Sequence, residues 1–208
     1  MKKSKRIKKS NSWKIKQHRD QFFKKSKTLG YRSRASFKLI ELNKKYKFLK
    51  KNTNLLDLGS YPGGWSQVAS QTIRSGRIMS VDMKDMEPIK NVRFFKGDIL
   101  LNDTKSAVIE YFKSSLDVII SDMAADTTGS KSLDSIRTNQ LCADVINFSK
   151  ETLKPKGVLV SKIFMGEDFL QVKNLAKSTF NKVNFFKPHS SRKESKETYL
   201  HCEILKTL

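Results

Sequence analysis

Two lysines stand where an apolar side chain belongs. Lys38 lies between Phe37 and Leu39 in YRSRASFKLIELNKKYKFL (31–49), and Lys162 lies mid-run in VLVSKIF (158–164). A buried amine without a partner is costly, so each must snorkel to solvent, meet a carboxylate or have a task. Lys162 sits in a run that reads as a strand covered on both faces, and there a task such as holding or moving a proton outweighs snorkelling. Lys38 becomes chemical only if an acid waits for it. Acids recur at regular places: Asp57, Asp82, Asp98 and Asp122 each finish an apolar run, and Glu197 opens the last one. Strand-end acids often serve as caps and turn formers. Four in phase with a strand–helix repeat describe a crevice lined at the carboxyl edge of a parallel sheet.

The elements that must position these groups begin at LLDLGSYPGGWSQ (55–67). It reads as a buried strand, a glycine turn holding Gly63 and Gly64, and a helix from Trp65 to Arg74. Unpaired N–H groups at such a helix start favour a negative group. The spacing G-x-x-x-G-G is not the G-x-G-x-x-G of dinucleotide folds, which argues against a nicotinamide-dependent oxidoreductase. Further strands are expected at 76–82, 92–97, 116–122, 158–164, 182–186 and 198–205, with helices over 103–114, 134–153 and 168–180 and a turn at LKPKG (153–157). Asp82 lies 19 positions beyond Gly63, where a doubly wound sheet can offer a carboxylate to a ribose diol. The fold class is therefore α/β. It is a Rossmann-like, seven-stranded, mostly parallel sheet with helices on both faces and a closing antiparallel hairpin, of the methyltransferase rather than the dehydrogenase type.

The chain of 208 residues suits one domain with a real core. No apolar run reaches membrane-spanning length, and the basic start has no apolar stretch behind it. A bacterial-type cytoplasm is expected, although a basic, acid-poor leader also resembles an organelle transit peptide. Cys142 and Cys202 have no ligand spacing and read as reduced core residues. The formal net charge is +22, and residues 1–51 hold 20 Lys/Arg against Asp20 and Glu41. That concentration points to a polyanion, best a nucleic acid, with an acidic membrane surface or plain solubility as alternatives. Residues 1–30 are expected to form a basic arm, mobile over the first ten, and 31–208 the folded domain. Trp13, Phe22 and Phe23 either anchor the arm or stack on bases.

With these motifs in hand, the sequence resembles the FtsJ/RrmJ (RlmE) family of ribosomal RNA ribose 2′-O-methyltransferases from about Trp13 onward. YRSRASFKL, DLGSYPGGWSQ, VDMKDMEPI, KGDI, SDMAAD, VSKIFMGEDF and SSRKESKETYL occur in the family's order. The resemblance implies S-adenosylmethionine contacts at Gly63, Gly64, Trp65, Asp82, Asp98 and Asp122. It also implies a catalytic tetrad of Lys38, Asp122, Lys162 and Glu197. No metal is required, because a sulfonium already makes its methyl group electrophilic. Lys162 is expected to hold the ribose oxygen and accept its proton, or only to orient it. The implied substrate is a uridine in the peptidyl-transferase region of large-subunit ribosomal RNA, met within an assembled or nearly assembled particle; a monomer is the default expectation. Transfer RNA, a messenger cap and a non-catalytic assembly role stand as alternatives. Arg32, Arg34, Arg192 and Lys193, flanking Lys38 and Glu197 in sequence, are candidate phosphate contacts. The sequence departs from the family at Ala125-Asp126, where Pro-Asn is usual, and at Ser60-Tyr61, where two small residues are usual.

Overall fold

The computed structural model describes residues 20–206. Trp13 and the mobility expected of the first ten residues lie outside the described residues. Asp20 caps helix α1 (Gln21–Thr28), its carboxylate accepting the Phe22 and Phe23 N–H groups. Among the contacts that dock this helix on the body, the Phe22 ring lies 5.5 Å from Phe37, and Asp20 pairs with Arg34. Phe22 thus anchors.

Helix α2 spans Ala35–Tyr46, and the residues before it, 31–34, are turned to brace the glycine loop. There follow β1 (Leu55–Leu58), α3 (Gly64–Thr72), β2 (Ile78–Asp82), β3 (Arg93–Lys96), α4 (Asn102–Phe112), β4 (Leu116–Ser121), α5 (Lys131–Thr152), β5 (Leu153–Phe164), α6 (Phe169–Thr179), β6 (Phe180–Phe186) and β7 (Glu197–Leu205). The strands form one sheet in the order β3-β2-β1-β4-β5-β7-β6. β1 to β5 run parallel, while β7 is antiparallel to both β5 and β6. The turn expected at LKPKG is instead the start of β5: Leu153 pairs with Leu116 before a register shift, and the helix runs straight into the strand.

Alternation along the strands splits the core in two. Leu56, Ile119, Leu159 and Leu200 pack against α4, α5 and α6, whereas Leu55, Ile120, Val160 and Tyr199 pack against α2 and α3. By the same alternation Lys162 and Glu197 project to the α2 side, where Lys38 is carried on the buried face of that helix. Strand order reverses between β1 and β4, and such a switch point opens a crevice at the strands' carboxyl ends.

Candidate active site

A cleft of about 600 Å³ opens at that switch point. Its walls come from the segments after β1, β2, β3 and β4 and from one side of α5; Gly59, Asp82, Asp98, Asp122 and Met123 all line it. Gly59 adopts φ +71°, and a Cβ there would stand 2.3 Å from Met123 Cγ, so the wall depends on a bare backbone. Asp82 accepts the Tyr61 and Lys84 N–H groups at 2.8 Å each, which fixes its carboxylate at the end of β2. Asp98 is braced in the same way by Leu100 N–H at 3.0 Å. The two unusual pairs, Ser60-Tyr61 and Ala125-Asp126, both stand at this cleft: Ser60 is buried, while Tyr61, Ala125 and Asp126 form parts of its wall.

Asp122 belongs to the cleft and also to a buried charge cluster behind it. Lys162 Nζ lies 2.7 Å from Asp122 Oδ1 and also donates to the Asp122 carbonyl at 2.7 Å. Lys38 Nζ lies 2.8 Å from both Glu197 oxygens and 4.0 Å from Asp122 Oδ1. Two amines and two carboxylates distant in sequence thus form one linked group. Register explains the meeting: Lys162 pairs with Tyr199 across β5 and β7, and Phe164 pairs with Glu197.

Two supporting residues escaped the sequence reading. Tyr199 is fully buried and donates its hydroxyl to Asp122 Oδ1 at 2.6 Å, and Ser191 donates to Glu197 Oε1 at 2.8 Å. Tyr199 was detectable, since a residue two places from Glu197 on a strand shares its face. Burial, reinforced by Asp122 and Glu197, pushes the Tyr199 phenol well above its usual value, so it stays a donor. Burial alone pushes the Asp122 carboxyl up, but Lys162 and Lys38, with hydrogen bonds from Lys162 and Tyr199, hold it below the usual range. Asp122 is therefore a carboxylate.

The remaining candidate residues do not line the cleft. Gly63 caps α3 at φ +103° and Gly64 opens that helix. Trp65 is a core residue: it is buried, and its indole donates to the Ala35 carbonyl at 2.8 Å, tying α3 to α2. Arg32 donates to the carbonyls of Pro62, Glu87 and Pro88 at 3.4, 2.6 and 2.7 Å, and Arg34 binds Asp20 and the Ser190 carbonyl. Both arginines hold internal clamps, and both remain half-buried. Arg192, 3.6 Å from Asp20, and Lys193 are exposed beside the cluster.

Asp57 corrects another expectation. It does not end its strand but lies inside β1, facing α3, where it accepts the Ser66 hydroxyl at 2.5 Å. Burial pushes its carboxyl up to about 7, with Asp122 and Asp82 adding to the rise against the Ser66 hydrogen bond. A carboxyl raised above its unfolded value, about 3.9, binds more protons when folded, so this contribution falls as pH climbs from about 4 to about 7 and is flat above. Asp57→Asn is expected to remove that slope. In denaturant titrations it should stabilise the chain at pH 8 by about 1–4 kcal/mol while changing little at pH 4.

A sequence profile described as FtsJ-like methyltransferase matches residues 31–204. A Pelagibacter ubique protein named ribosomal RNA large subunit methyltransferase E is 46% identical over 197 residues, covering 95% of this chain and 97% of the relative. A Rickettsia bellii protein of the same name is 41% identical over 202 residues, covering 94% and 89%. Among solved structures, a Plasmodium falciparum protein described as a ribosomal RNA methyltransferase superposes with a TM-score of 0.76 at 34% identity, covering 84% of this chain and 98% of the other.

Proposed function

The chain belongs to the FtsJ-like methyltransferase family, and on that premise we propose that it transfers a methyl group from S-adenosylmethionine to a ribose 2′-hydroxyl of ribosomal RNA. The observation that carries this reading is the Lys38–Glu197 and Lys162–Asp122 cluster sharing Asp122 with the cleft.

The cleft residues fit that cofactor. A volume of about 600 Å³ suits a nucleoside-sized ligand, Asp82 stands ready for a ribose diol, and the carboxylates Asp98 and Asp122 suit a cationic one. Gly63, Gly64 and Trp65 would serve indirectly, through the backbone turn that closes the loop against α3. When bound, S-adenosylmethionine supplies an electrophilic methyl group on a sulfonium.

The chain's own residues do the rest. Asp122 accepts from Lys162 twice, through its side chain and its carbonyl, and so fixes the amine while leaving one position for the substrate. A ribose 2′-oxygen held there gives its proton to Lys162 if the amine arrives neutral, or is oriented by it if charged. Lys38 offsets the second acid, and Ser191 fixes Glu197, so the cluster keeps its shape without solvent. Exposed Arg192 and Lys193 are the phosphate contacts beside it. Cytoplasmic residence, a monomeric state and contact with the large subunit belong to the same proposal, as does a uridine target. No described helix is long and apolar enough to cross a membrane.

The test is transfer of tritiated methyl groups to ribosomal RNA from a methylation-deficient source. Label is expected in an alkali-resistant dinucleotide from large-subunit RNA, with one reverse-transcription stop at low nucleotide concentration. Label on a base or on protein, or no label, would remove the reading. A stop in transfer RNA or at a cap would redirect its substrate.

A further inference from the structure

Among the connections between elements, the unbalanced positive charge lies on the side away from the cleft. Connections that enter the parallel strands lie at the sheet edge opposite the cleft. The segments 47–54, 73–77, 113–115 and 153–157, which lead into or open β1, β2, β4 and β5, carry eight Lys/Arg and no Asp or Glu. The cleft-side connections 29–34, 59–63, 83–90, 97–101, 122–130, 165–168 and 187–196 carry eight Lys/Arg against eight Asp/Glu.

This basic edge is concave. A hollow of about 660 Å³ is bordered by Lys47, Lys50, Lys154 and Lys156, with Asp117 and Glu203 inside its rim. Both acids are already engaged: Asp117 is 2.6 Å from Lys154, and Glu203 is 3.6 Å from Lys182. Lys47, Lys50 and Lys156 are exposed. Helix dipoles favour cations at a helix end, which accounts for Lys47. They do not account for Lys50, Lys51 or Lys156, which lie in a loop or in a strand. Lysines also protect sheet edges from mispairing, but β5 is interior. Val158 borders the hollow and Lys162 lies four residues along the same strand, a separation of about 13 Å through the sheet. One nucleotide cannot reach both.

We propose that this opposite edge is a second RNA dock, gripping the phosphodiester backbone of a segment remote from the nucleotide presented to Lys162. It rests on the reading of the chain as an RNA methyltransferase. Lysines are point charges without base readout, so the dock takes RNA by its backbone and contributes affinity rather than sequence choice.

The test is the full chain carrying Lys50→Gln, Lys51→Gln, Arg74→Gln and Lys156→Gln, with single Lys50→Gln and Lys156→Gln variants beside it. Binding to an RNA duplex of arbitrary sequence is titrated with salt. Each lost phosphate contact should reduce the log–log salt slope by about 0.7–0.9, and the quadruple variant should lose about tenfold or more in affinity near physiological salt. In methyl-transfer assays its KM for RNA should rise by a similar factor, with kcat at saturating RNA and S-adenosylmethionine affinity unchanged. Unchanged slope and KM would overturn the dock. So would a fall in kcat alone, or loss of binding to anionic vesicles while RNA affinity stays intact. If the unaltered chain methylates no RNA, the functional reading fails, yet the duplex comparison still reports on the dock.

Discussion

Replacing Lys162 with alanine is expected to lower methyl transfer by about 10²–10⁴-fold, the usual range for a positioned proton-transfer group. S-adenosylmethionine affinity should stay within a few-fold, because Lys162 touches Asp122 at the back of the cleft and does not line it. Single-turnover transfer and equilibrium binding measured on the same preparation separate the two effects. Transfer within tenfold of the unaltered chain would remove Lys162 from the chemistry. Lys162→Arg keeps a charge and a donor but cannot accept a proton at neutral pH, so full activity in that variant would reduce the role to orientation.

The largest effect on stability is expected at Glu197. It and Lys38 are nearly buried, with side-chain exposures of 11% and 10%, so Glu197→Ala strands an amine with Asp122 still 4.0 Å away. Breaking a buried pair from one side costs about 3–5 kcal/mol, which a denaturant titration resolves. The double variant Lys38→Met, Glu197→Leu removes both charges and should recover most of that loss, since apolar replacement of a buried pair is often neutral. It should nevertheless remain defective in methyl transfer. Recovery of stability together with activity would show the pair to be structural only.

Much of the architecture was legible because alternation and strand-end acids are local signals. VLVSKIF announces a buried strand with a lysine in it, and β5 carries Lys162 there. The β6–β7 hairpin and the helices on both faces follow from spacing in the same way. What was not legible depends on partners far along the chain. Arg32 looks like a surface cation until the carbonyls of Glu87 and Pro88 close on it, and Arg34 until Asp20 and Ser190 do. Trp65 lies in the glycine motif, yet its indole is consumed by the contact between α2 and α3. Asp57 reads like its fellow strand-end acids, but one residue more of strand turns it inward. At the opposite edge the relevant signal was an absence of acids spread over four short segments, visible only once the topology brings them to one side.

The strand order has a temporal consequence. β7, the last of the described strands, wedges between β5 and β6, and it brings Glu197 and Tyr199 with it. During synthesis every segment that lines the cleft, up to Asp144, is therefore made before the strand that completes the buried charge cluster.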